Sequence, residues 1–425
     1  MKKNLLLLMV MMQLSVYHAF AQGNDQQKKT NSSRTENLSL IYKEKDPAKK
    51  EKLYGIWLQN FPPQKSDSAE RVKYDYARYS VASAYAEVNN IAKTMKYSDL
   101  LETPVWKAQG WSNVAAVLEK NGHFKEAIEL YKRAVVHSYR CVISNNYDPA
   151  VQIAAAGYAG FAKALSKLYA SQKNYEAALP VLKQLYERPE YADTEAYEAY
   201  ASMLIQLGRD RESFSVLDKA TRLGLANDLM KNDLKMLFKK LHGSDAGYDE
   251  YLVAVNKAMA EKIRKDVAET MVNLRAANFS LKNVDGKTVS LADLKGKTVV
   301  LDFWATWCVP CKASFPIMKA AVERFKDDPN VQFLFIHTYE NDADASTLAK
   351  NYMTENHYPF EVLMDLKDAH GANPVAASYK LGGIPAKIVI DKDGNIRFSV
   401  VGFSGGQEAA VEEITAMIEL SKKPN

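Results

Sequence analysis

Thr298 to Lys312 read Thr-Val-Val-Leu-Asp-Phe-Trp-Ala-Thr-Trp-Cys-Val-Pro-Cys-Lys, and this stretch decides the fold of the C-terminal part of the chain. An apolar run of strand length ends in a Cys-x-x-Cys pair, and helical periodicity follows at 312–326. The spacing of three places both sulfurs on one helical turn, close enough to form a disulfide. Cys308 would lie at the helix N-terminus, where the partial positive charge favours a thiolate. We therefore expect Cys308 to be the nucleophile and Cys311 to be the resolving thiol.

Other uses of the Cys-x-x-Cys spacing lack the residues that they need. A zinc site needs four ligands, and the chain has no second cysteine pair and no His pair at ligand spacing. Haem attachment needs a His directly after the second Cys, where Lys312 stands. A peroxidatic cysteine follows a Pro-x-x-x-Thr/Ser-x-x-Cys run, and Leu301 stands at the proline position. A redox pair that uses no metal and no cofactor is therefore predicted.

The chain has three cysteines, Cys141, Cys308 and Cys311, which are too few for a disulfide-stapled fold. Cys141 is predicted to be a small buried apolar residue. The alternative is a partner in a regulatory or interdomain disulfide.

The N-terminus is typical of an exported protein. Met1 to Lys3 is positively charged, Leu5 to Val16 is apolar apart from Gln13, and Ala19 to Ala21 has the form that signal peptidase cleaves. We predict a signal peptide at 1–21 and a flexible tether at 22–35. An uncleaved anchor helix is the alternative, but the apolar run is shorter than the ~20 residues that a membrane span requires. The mature chain is expected to be soluble and periplasmic or otherwise extracytoplasmic.

Composition gives no sign of a nucleic-acid partner. The 425 residues are 47% hydrophobic and 25% charged, as in a soluble globular protein of two or three domains. The formal net charge of +5 falls to +3 when Lys2 and Lys3 leave with the signal peptide (5 − 2). Because the remaining basic residues are interspersed with acids, they are typical of a solvated surface.

Residues 36–268 show helical periodicity almost throughout, which predicts an all-α domain of helical hairpins. A weak repeat aligns four positions separated by 33, 51 and 36 residues: Thr94, Ala127, Ala178 and Phe214. The pattern resembles a tetratricopeptide-type array, whose period is about 34 residues. The long second gap predicts an insertion at 138–156. Such arrays bind peptides or partner proteins, and a spacer or dimerisation module is the equal alternative.

Residues 269–425 alternate between strand and helix patterns. Two turn signals, Asp285-Gly286 and Asp393-Gly394, predict hairpins. The order of elements predicts an α/β domain. The expected strands lie at 277–281, 288–291, 298–304, 331–337, 360–364, 386–391 and 396–402, and the expected helices at 312–326, 343–356 and 407–420.

The motifs in this domain resemble a known family. Asp302 to Lys312, with Pro316 five residues after Cys311, resembles the active-site segment of thioredoxins. The preceding hairpin and the strand-helix segment at 341–379 make the domain more similar to TlpA-type extracytoplasmic thiol-disulfide oxidoreductases of the AhpC/TSA-redoxin superfamily. Gly383 to Pro385 resembles the cis-proline loop of that family, and Val401 to Ser404 resembles its last strand and turn.

The resemblance implies roles for named residues. Asp302 interrupts an apolar strand, and burial would raise its pKa toward the range in which it exchanges a proton with Cys311. A cis Ile384-Pro385 bond would expose backbone groups that pair with an extended substrate. Trp307 and Pro310 beside the nucleophile complete the predicted substrate-binding residues.

Two departures from the thioredoxin pattern stand out. The basic residue that thioredoxins carry on the next strand has no clear match at 333–337, and His337 is the candidate replacement. Val309 replaces the usual small or polar residue before Pro310, so the redox potential of the family does not transfer.

The sequence thus predicts an α/β thioredoxin-like domain joined to a tetratricopeptide-like helical domain. Its expected activity is the reduction of protein disulfides, with a membrane electron donor and a partner protein on the helical domain. The rival hypothesis is an interaction scaffold with an auxiliary or redox-sensing thioredoxin-like domain.

Overall fold

The computed structural model describes residues 35–63, 68–188, 190–342, 344–402 and 406–423. The predicted signal peptide, almost all of the predicted tether and the end of the Val401 to Ser404 motif lie outside the described residues. The described residues up to Ala192 form one compact unit, and the described residues from Asp193 form a second. The sequence-based domain limits, 36–268 and 269–425, stay a prediction.

The first unit is built from helices, as the periodicity predicts. Residues 35–43 are helical. Asp and Asn side chains cap several of the later helices, as when Asp46 Oδ1 accepts from Lys49 N at 2.8 Å. These helices are α1 Pro47–Asn60, α2 Ser68–Glu87, α3 Ile91–Asp99, α4 Trp111–Lys120, α5 Phe124–Ile143, α6 Pro149–Ala156, α7 Tyr158–Ser171 and α8 Tyr175–Tyr186.

The second unit opens with four helices: α9 Thr194–Gln206, α10 Asp210–Arg222, α11 Asp228–His242 and α12 Tyr248–Ala268. Its α/β part follows with β1 Leu274–Arg275, β2 Ser280–Lys282, β3 Thr288–Ser290, β4 Thr298–Trp304, α13 Val309–Arg324, β5 Val331–His337, α14 Ala345–Glu355, β6 Val362–Met364, α15 Pro374–Ser378, β7 Ala386–Ile390, β8 Asn395–Val401 and α16 Gln407–Ser421. The short elements β1 and α15 were not predicted.

The repeated turns share one backbone geometry. The residue at the turn has a positive φ in each of the four repeats: Asn89 at 59°, Gly122 at 82°, Lys173 at 54° and Gly208 at 68°. The next amide donates to the carbonyl five residues earlier, as in the 2.8 Å bond from His123 N to Leu118 O. Five residues after the positive-φ residue, each repeat has a small buried residue: Thr94, Ala127, Ala178 and Ser213. The match to Phe214 was therefore wrong by one residue, because α10 begins at Asp210 and Ser213 Oγ donates to Ala201 O at 3.0 Å.

The main sheet places the Cys-x-x-Cys strand at its centre. Its order is β1-β8-β7-β4-β5-β6, and β2 pairs with β3 in a separate hairpin. Strand β4 runs parallel to β5 and antiparallel to β7. Strand β4 is thus paired on both edges, and all seven of its residues are buried because both faces of the sheet are also covered.

The two faces of the sheet form two apolar clusters. One contains Val300, Trp304 and Phe335 together with Phe315 of α13 and Ile414 of α16. The other contains alternate residues of the same strands and residues of the hairpin: Phe279, Leu291, Leu301, Phe303, Ile336, Ile388 and Ile390. Alternation along β4 decides which side chains lie beneath the helix that carries the cysteines.

Helix α12 belongs to the packing of the α/β domain. Val267 lies in the apolar cluster beneath α13 and α16. Gly406 N donates to Gly224 O at 2.7 Å, and a Cβ at Gly224 would lie 2.3 Å from Ala409 Cβ. Only a glycine permits this approach between the end of α10 and the start of α16.

Candidate active site

Cys308 and Cys311 form a disulfide at the junction of β4 and α13. Cys308 is the N-cap residue of α13, and its Sγ accepts from Cys311 N at 3.2 Å. Pro310 fits in the first helical turn because no backbone N–H there needs an intrahelical partner. Cys308 is 3% exposed and Cys311 is fully buried, so the sulfur at the helix terminus is the one nearer to solvent.

The residues around Cys308 form an exposed apolar rim. Trp307 is 52% exposed and Val309 is 71% exposed. Pro310 is also exposed. Trp307 Nε1 donates to Tyr339 O at 3.0 Å, which orients the indole. Such a rim is suited to contact a substrate chain.

The turn that leads to Cys308 is held by the loop after β5. Cys308 N donates to Ala305 O at 3.1 Å, which closes a turn with Thr306 and Trp307 at its centre. Thr306 Oγ1 donates to Glu340 Oε2, and Trp307 is anchored on Tyr339. Both central residues of the turn are therefore fixed from one neighbouring loop.

The Ile384-Pro385 bond is cis, as predicted. Pro385 is buried, whereas Ile384 is half-buried directly before β7. Pro385 O accepts from Gly402 N at 2.9 Å, which joins this loop to the end of β8.

Asp302 is buried in β4, as the sequence predicts, and it has a buried cationic partner. Lys387 of β7 lies directly opposite Asp302 in the strand register, and its Nζ is 3.2 Å from Asp302 Oδ1. The same ammonium donates to Ser314 Oγ at 3.2 Å, and Ser314 Oγ donates to Cys311 O at 2.7 Å. One lysine therefore links the acidic strand to the helical turn of the resolving cysteine.

Burial controls the charges of this pair. Loss of solvent raises the pKa of Asp302, and the Lys387 ammonium offsets only part of this effect. Loss of solvent also lowers the pKa of Lys387, against the attraction of Asp302 and of Glu413 on α16. The raised pKa brings Asp302 closer to the range in which it can exchange a proton with a thiol.

Lys387 is the basic residue that sequence reasoning missed. It lies on the strand that follows Pro385, not at 333–337, where the thioredoxin pattern places the basic residue. His337 does not take this role, because burial lowers its pKa to about 4 and leaves the imidazole neutral. The available signal was Lys387 itself, a charge that interrupts the apolar run at 386–390 as Asp302 interrupts its own strand.

Glu340 is a second site residue that the sequence analysis did not identify. Its side chain is 10% exposed, and its Oε2 lies 3.6 Å from His337 Nε2. Burial alone would raise the pKa of Glu340, but hydrogen bonds from Thr306 and from Asn341 N outweigh it and hold the pKa below its usual value. The carboxylate is therefore ionised at neutral pH.

Cys141 lies outside this site. It is buried in α5 as a free thiol, and burial raises its pKa. Its Sγ is 3.8 Å from His137 Nε2. In the part of the chain that the structure describes, no cluster of three or more His, Cys, Asp or Glu side chains is arranged to hold a metal ion. Over the same residues, no helix is long and apolar enough to cross a membrane.

Comparison with known proteins identifies similar sequences and structures. Residues 272–399 match the AhpC/TSA family. Thiol-disulfide oxidoreductase ResA of Bacillus anthracis is 30% identical over 150 residues, which are 35% of this chain and 80% of the relative. Thioredoxin-like protein YneN of Bacillus subtilis (strain 168) is 33% identical over 129 residues, 30% of this chain and 70% of the relative. The crystal structure of a thioredoxin-family thiol:disulfide interchange protein from Chlorobium tepidum TLS is 28% identical, with a TM-score of 0.29, and covers 34% of this chain and 97% of that chain.

Proposed function

The chain belongs to the AhpC/TSA family of thioredoxin-like thiol-disulfide oxidoreductases, and from this premise we propose that it reduces protein disulfides outside the cytoplasm. Thiol-disulfide exchange follows from the family and from the Cys308-Cys311 pair. The observation that carries the proposal is the unequal placement of the two sulfurs. Cys308 caps α13 inside an exposed apolar rim, whereas Cys311 is fully buried one turn later.

In the proposed reaction the Cys308 thiolate attacks a client disulfide. A bond forms between Cys308 and one client sulfur, while the other client sulfur leaves as a thiolate. Cys311 then loses its proton and attacks Cys308, which breaks the mixed disulfide and forms the enzyme disulfide. Two electrons pass from the enzyme dithiol to the client, and the two client sulfurs take up protons.

Asp302 is the proposed acceptor of the Cys311 proton. Val300 and Trp304 lie in the apolar cluster that contains Cys311, so the alternation of β4 puts Asp302 on that same face. Lys387, whose ammonium lies 3.2 Å from Asp302, favours the ionised carboxylate, while burial raises the pKa so that the group can take up a proton.

The proposed client contacts are Trp307, Pro310, Ile384 and Pro385. Trp307 and Pro310 supply exposed apolar surface next to Cys308. The backbone at Ile384 would pair with an extended client segment, as an added strand pairs with a sheet edge.

The reducing direction is supported by the acidic surroundings of the pair. Glu340 is an ionised carboxylate that contacts the turn leading to Cys308, and negative charge disfavours a thiolate relative to a disulfide. A dithiol donor must then restore the reduced state. For an exported protein we propose that this donor is embedded in the membrane, and that the helical hairpins bind a partner protein.

The activity is tested by insulin reduction with dithiothreitol and the full-length chain. The wild-type chain should turn over, Cys308→Ser should remain at background, and Cys141→Ser should match the wild type. Turnover no faster than dithiothreitol alone would favour the rival hypothesis of an interaction scaffold.

Export is tested separately. N-terminal sequencing of the protein recovered from its native compartment should begin at Gln22. A sequence that begins at Met1 in the cytoplasmic fraction would contradict the proposed location.

A further inference from the structure

Glu340 places a fixed negative charge behind the turn that delivers the nucleophile. Its side chain is 10% exposed, and it accepts hydrogen bonds from Thr306 Oγ1 and, at 3.1 Å, from Asn341 N. Thr306 is two residues before Cys308, within a turn that the bond from Cys308 N to Ala305 O closes. Two residues of chain span at most about 7 Å, so Glu340 binds the turn within that distance, along the backbone, of the nucleophile's Cα.

The charge of Glu340 lacks a direct cationic partner among the residues that the structure records beside it. His337 is 3.6 Å away, but burial lowers its pKa to about 4, so it is neutral at neutral pH. Lys367 donates to Asn341 Oδ1 at 2.5 Å, one residue further along the chain. Asp365, directly after β6, accepts from Thr338 Oγ1, Val375 N and Ala376 N at 3.0 Å, so its carboxylate is bound by the start of α15.

We propose that Glu340 is a positioning residue of thiol-disulfide exchange that anchors the Thr306-Trp307 turn and biases the Cys308/Cys311 pair toward the disulfide. The inference rests on the proposed function, since it gives that function its reducing direction. The helix terminus stabilises the Cys308 thiolate, and the Glu340 carboxylate opposes it. A reduced form that is less stable makes the pair a stronger reductant, the inverse of an oxidant whose reduced form is stabilised.

The test compares two substitutions that separate charge from anchoring. Glu340→Gln removes the charge but keeps an oxygen that accepts from Thr306. Thr306→Val keeps the charge but removes the hydroxyl donor. Glu355→Gln is the matched control, because Glu355 is an exposed carboxylate at the end of α14.

The readouts are the redox equilibrium of the full-length chain with glutathione and the pKa of the Cys308 thiol. Glu340→Gln should lower the Cys308 pKa by about one unit. At a pH above the wild-type pKa, where the thiol is ionised in both proteins, it should shift the equilibrium constant about tenfold toward the dithiol, which is about 30 mV for two electrons. Thr306→Val should leave the equilibrium within about twofold and lower kcat/KM for insulin, since the turn loses its anchor. Glu355→Gln should change neither quantity.

Two results would overturn the inference. The first is a redox equilibrium constant with glutathione that is the same in Glu340→Gln and in the control Glu355→Gln, whatever the activities of the two variants. The other result needs no variant, so it can be obtained even if Glu340→Gln fails to fold. The Cys308 pKa of the wild-type chain should be about 7 or higher. A lower value would contradict the inference that a negative charge opposes the Cys308 thiolate.

These outcomes are independent of client reduction. If the wild-type chain fails to reduce insulin while Glu340→Gln shifts the glutathione equilibrium, the proposed function fails and the charge effect stands.

Discussion

Replacement of Lys387 with Met is expected to destabilise the second unit in a pH-dependent way. Lys387 and Asp302 are both buried, and their charged atoms are 3.2 Å apart. Methionine fills a similar volume, so the main loss is the cation beside Asp302. Removal of the cation from a buried ion pair typically costs about 3 to 5 kcal/mol of unfolding free energy, because the carboxylate is left buried and unpaired.

Protonation sets the upper limit of that cost. An unpaired Asp302 can bind a proton and so avoid being charged while buried. Protonation costs about 1.36 kcal/mol for each pH unit by which the ambient pH exceeds the ordinary pKa of 3.8. The loss is therefore at most about 4 kcal/mol at pH 7 and about 1.6 kcal/mol at pH 5. Because the folded-state pKa is raised, the deficit of Lys387→Met shrinks as the pH falls toward 3.8.

Asp302→Asn should show the opposite pH dependence. This substitution leaves the buried ammonium of Lys387 unpaired, and the ammonium can become neutral by losing its proton. From an ordinary pKa of 10.5, that deprotonation costs at most about 5 kcal/mol at pH 7 and about 2 kcal/mol at pH 9. Glu413 also faces this ammonium and reduces the cost further. The folded-state pKa of Lys387 is lowered, so the deficit shrinks as the pH rises. The double variant has neither charge and should show little pH dependence.

Hydrogen exchange at the amides of β4 and β7 measures the opening free energy of this sheet at pH 5, 7 and 9. Lys350→Met is a matched control, because Lys350 forms an exposed ion pair with Asp285 and should change little. If Lys387→Met lowers the opening free energy equally at all three pH values, the cause is lost packing, and the argument from charge is refuted.

Two further predictions concern the cysteines and the packing of α16. Cys311→Ser should accumulate client proteins as mixed disulfides on non-reducing gels while Cys308→Ser forms none, and adducts in Cys308→Ser alone would reverse the two roles. Gly224→Ala should lower the unfolding free energy of the second unit by about 2 to 5 kcal/mol, because a Cβ at φ 66° would lie 2.3 Å from Ala409 Cβ. The control is Gly208→Ala, where φ is 68° and an added Cβ would have no atom within 4 Å; it should lower the unfolding free energy by only about 1 to 2 kcal/mol. Both losses are measured by urea titration. Equal losses in the two variants would show that the close contact at Gly224 is unimportant.

The local patterns of the sequence predicted the elements well. Helix α13 was expected from 312 and begins at Val309, and the hairpins were placed at Asp285-Gly286 and Asp393-Gly394, where the chain turns. These features depend on neighbouring residues: apolar periodicity, a cap and a turn glycine each act within a few positions. The two-residue strand β1 was missed because it is defined only by its pairing with β8.

The partners of the reactive residues required the folded chain. Asp302 was recognised because it interrupts its own apolar strand, whereas Lys387 lies 85 positions later and meets it only through the β4-β7 register. Glu340 gives no signal in its own segment, and its role arises because the loop after β5 reaches Thr306. The register of strands and the reach of loops are long-range properties that periodicity does not encode.

The sequence by itself determined the chemistry of this protein: a Cys-x-x-Cys pair at a strand-to-helix junction, a buried acid and a proline before a strand. The tertiary structure decided the charges around that chemistry. From the sequence alone, a desolvated Asp302 without a cation predicts that Asp302→Asn gains stability at neutral pH. Lys387 at 3.2 Å opposes this gain, because Asp302→Asn also leaves a buried ammonium without its carboxylate, and in a medium of low polarity the free energy of a charge depends on which opposite charge the fold places beside it.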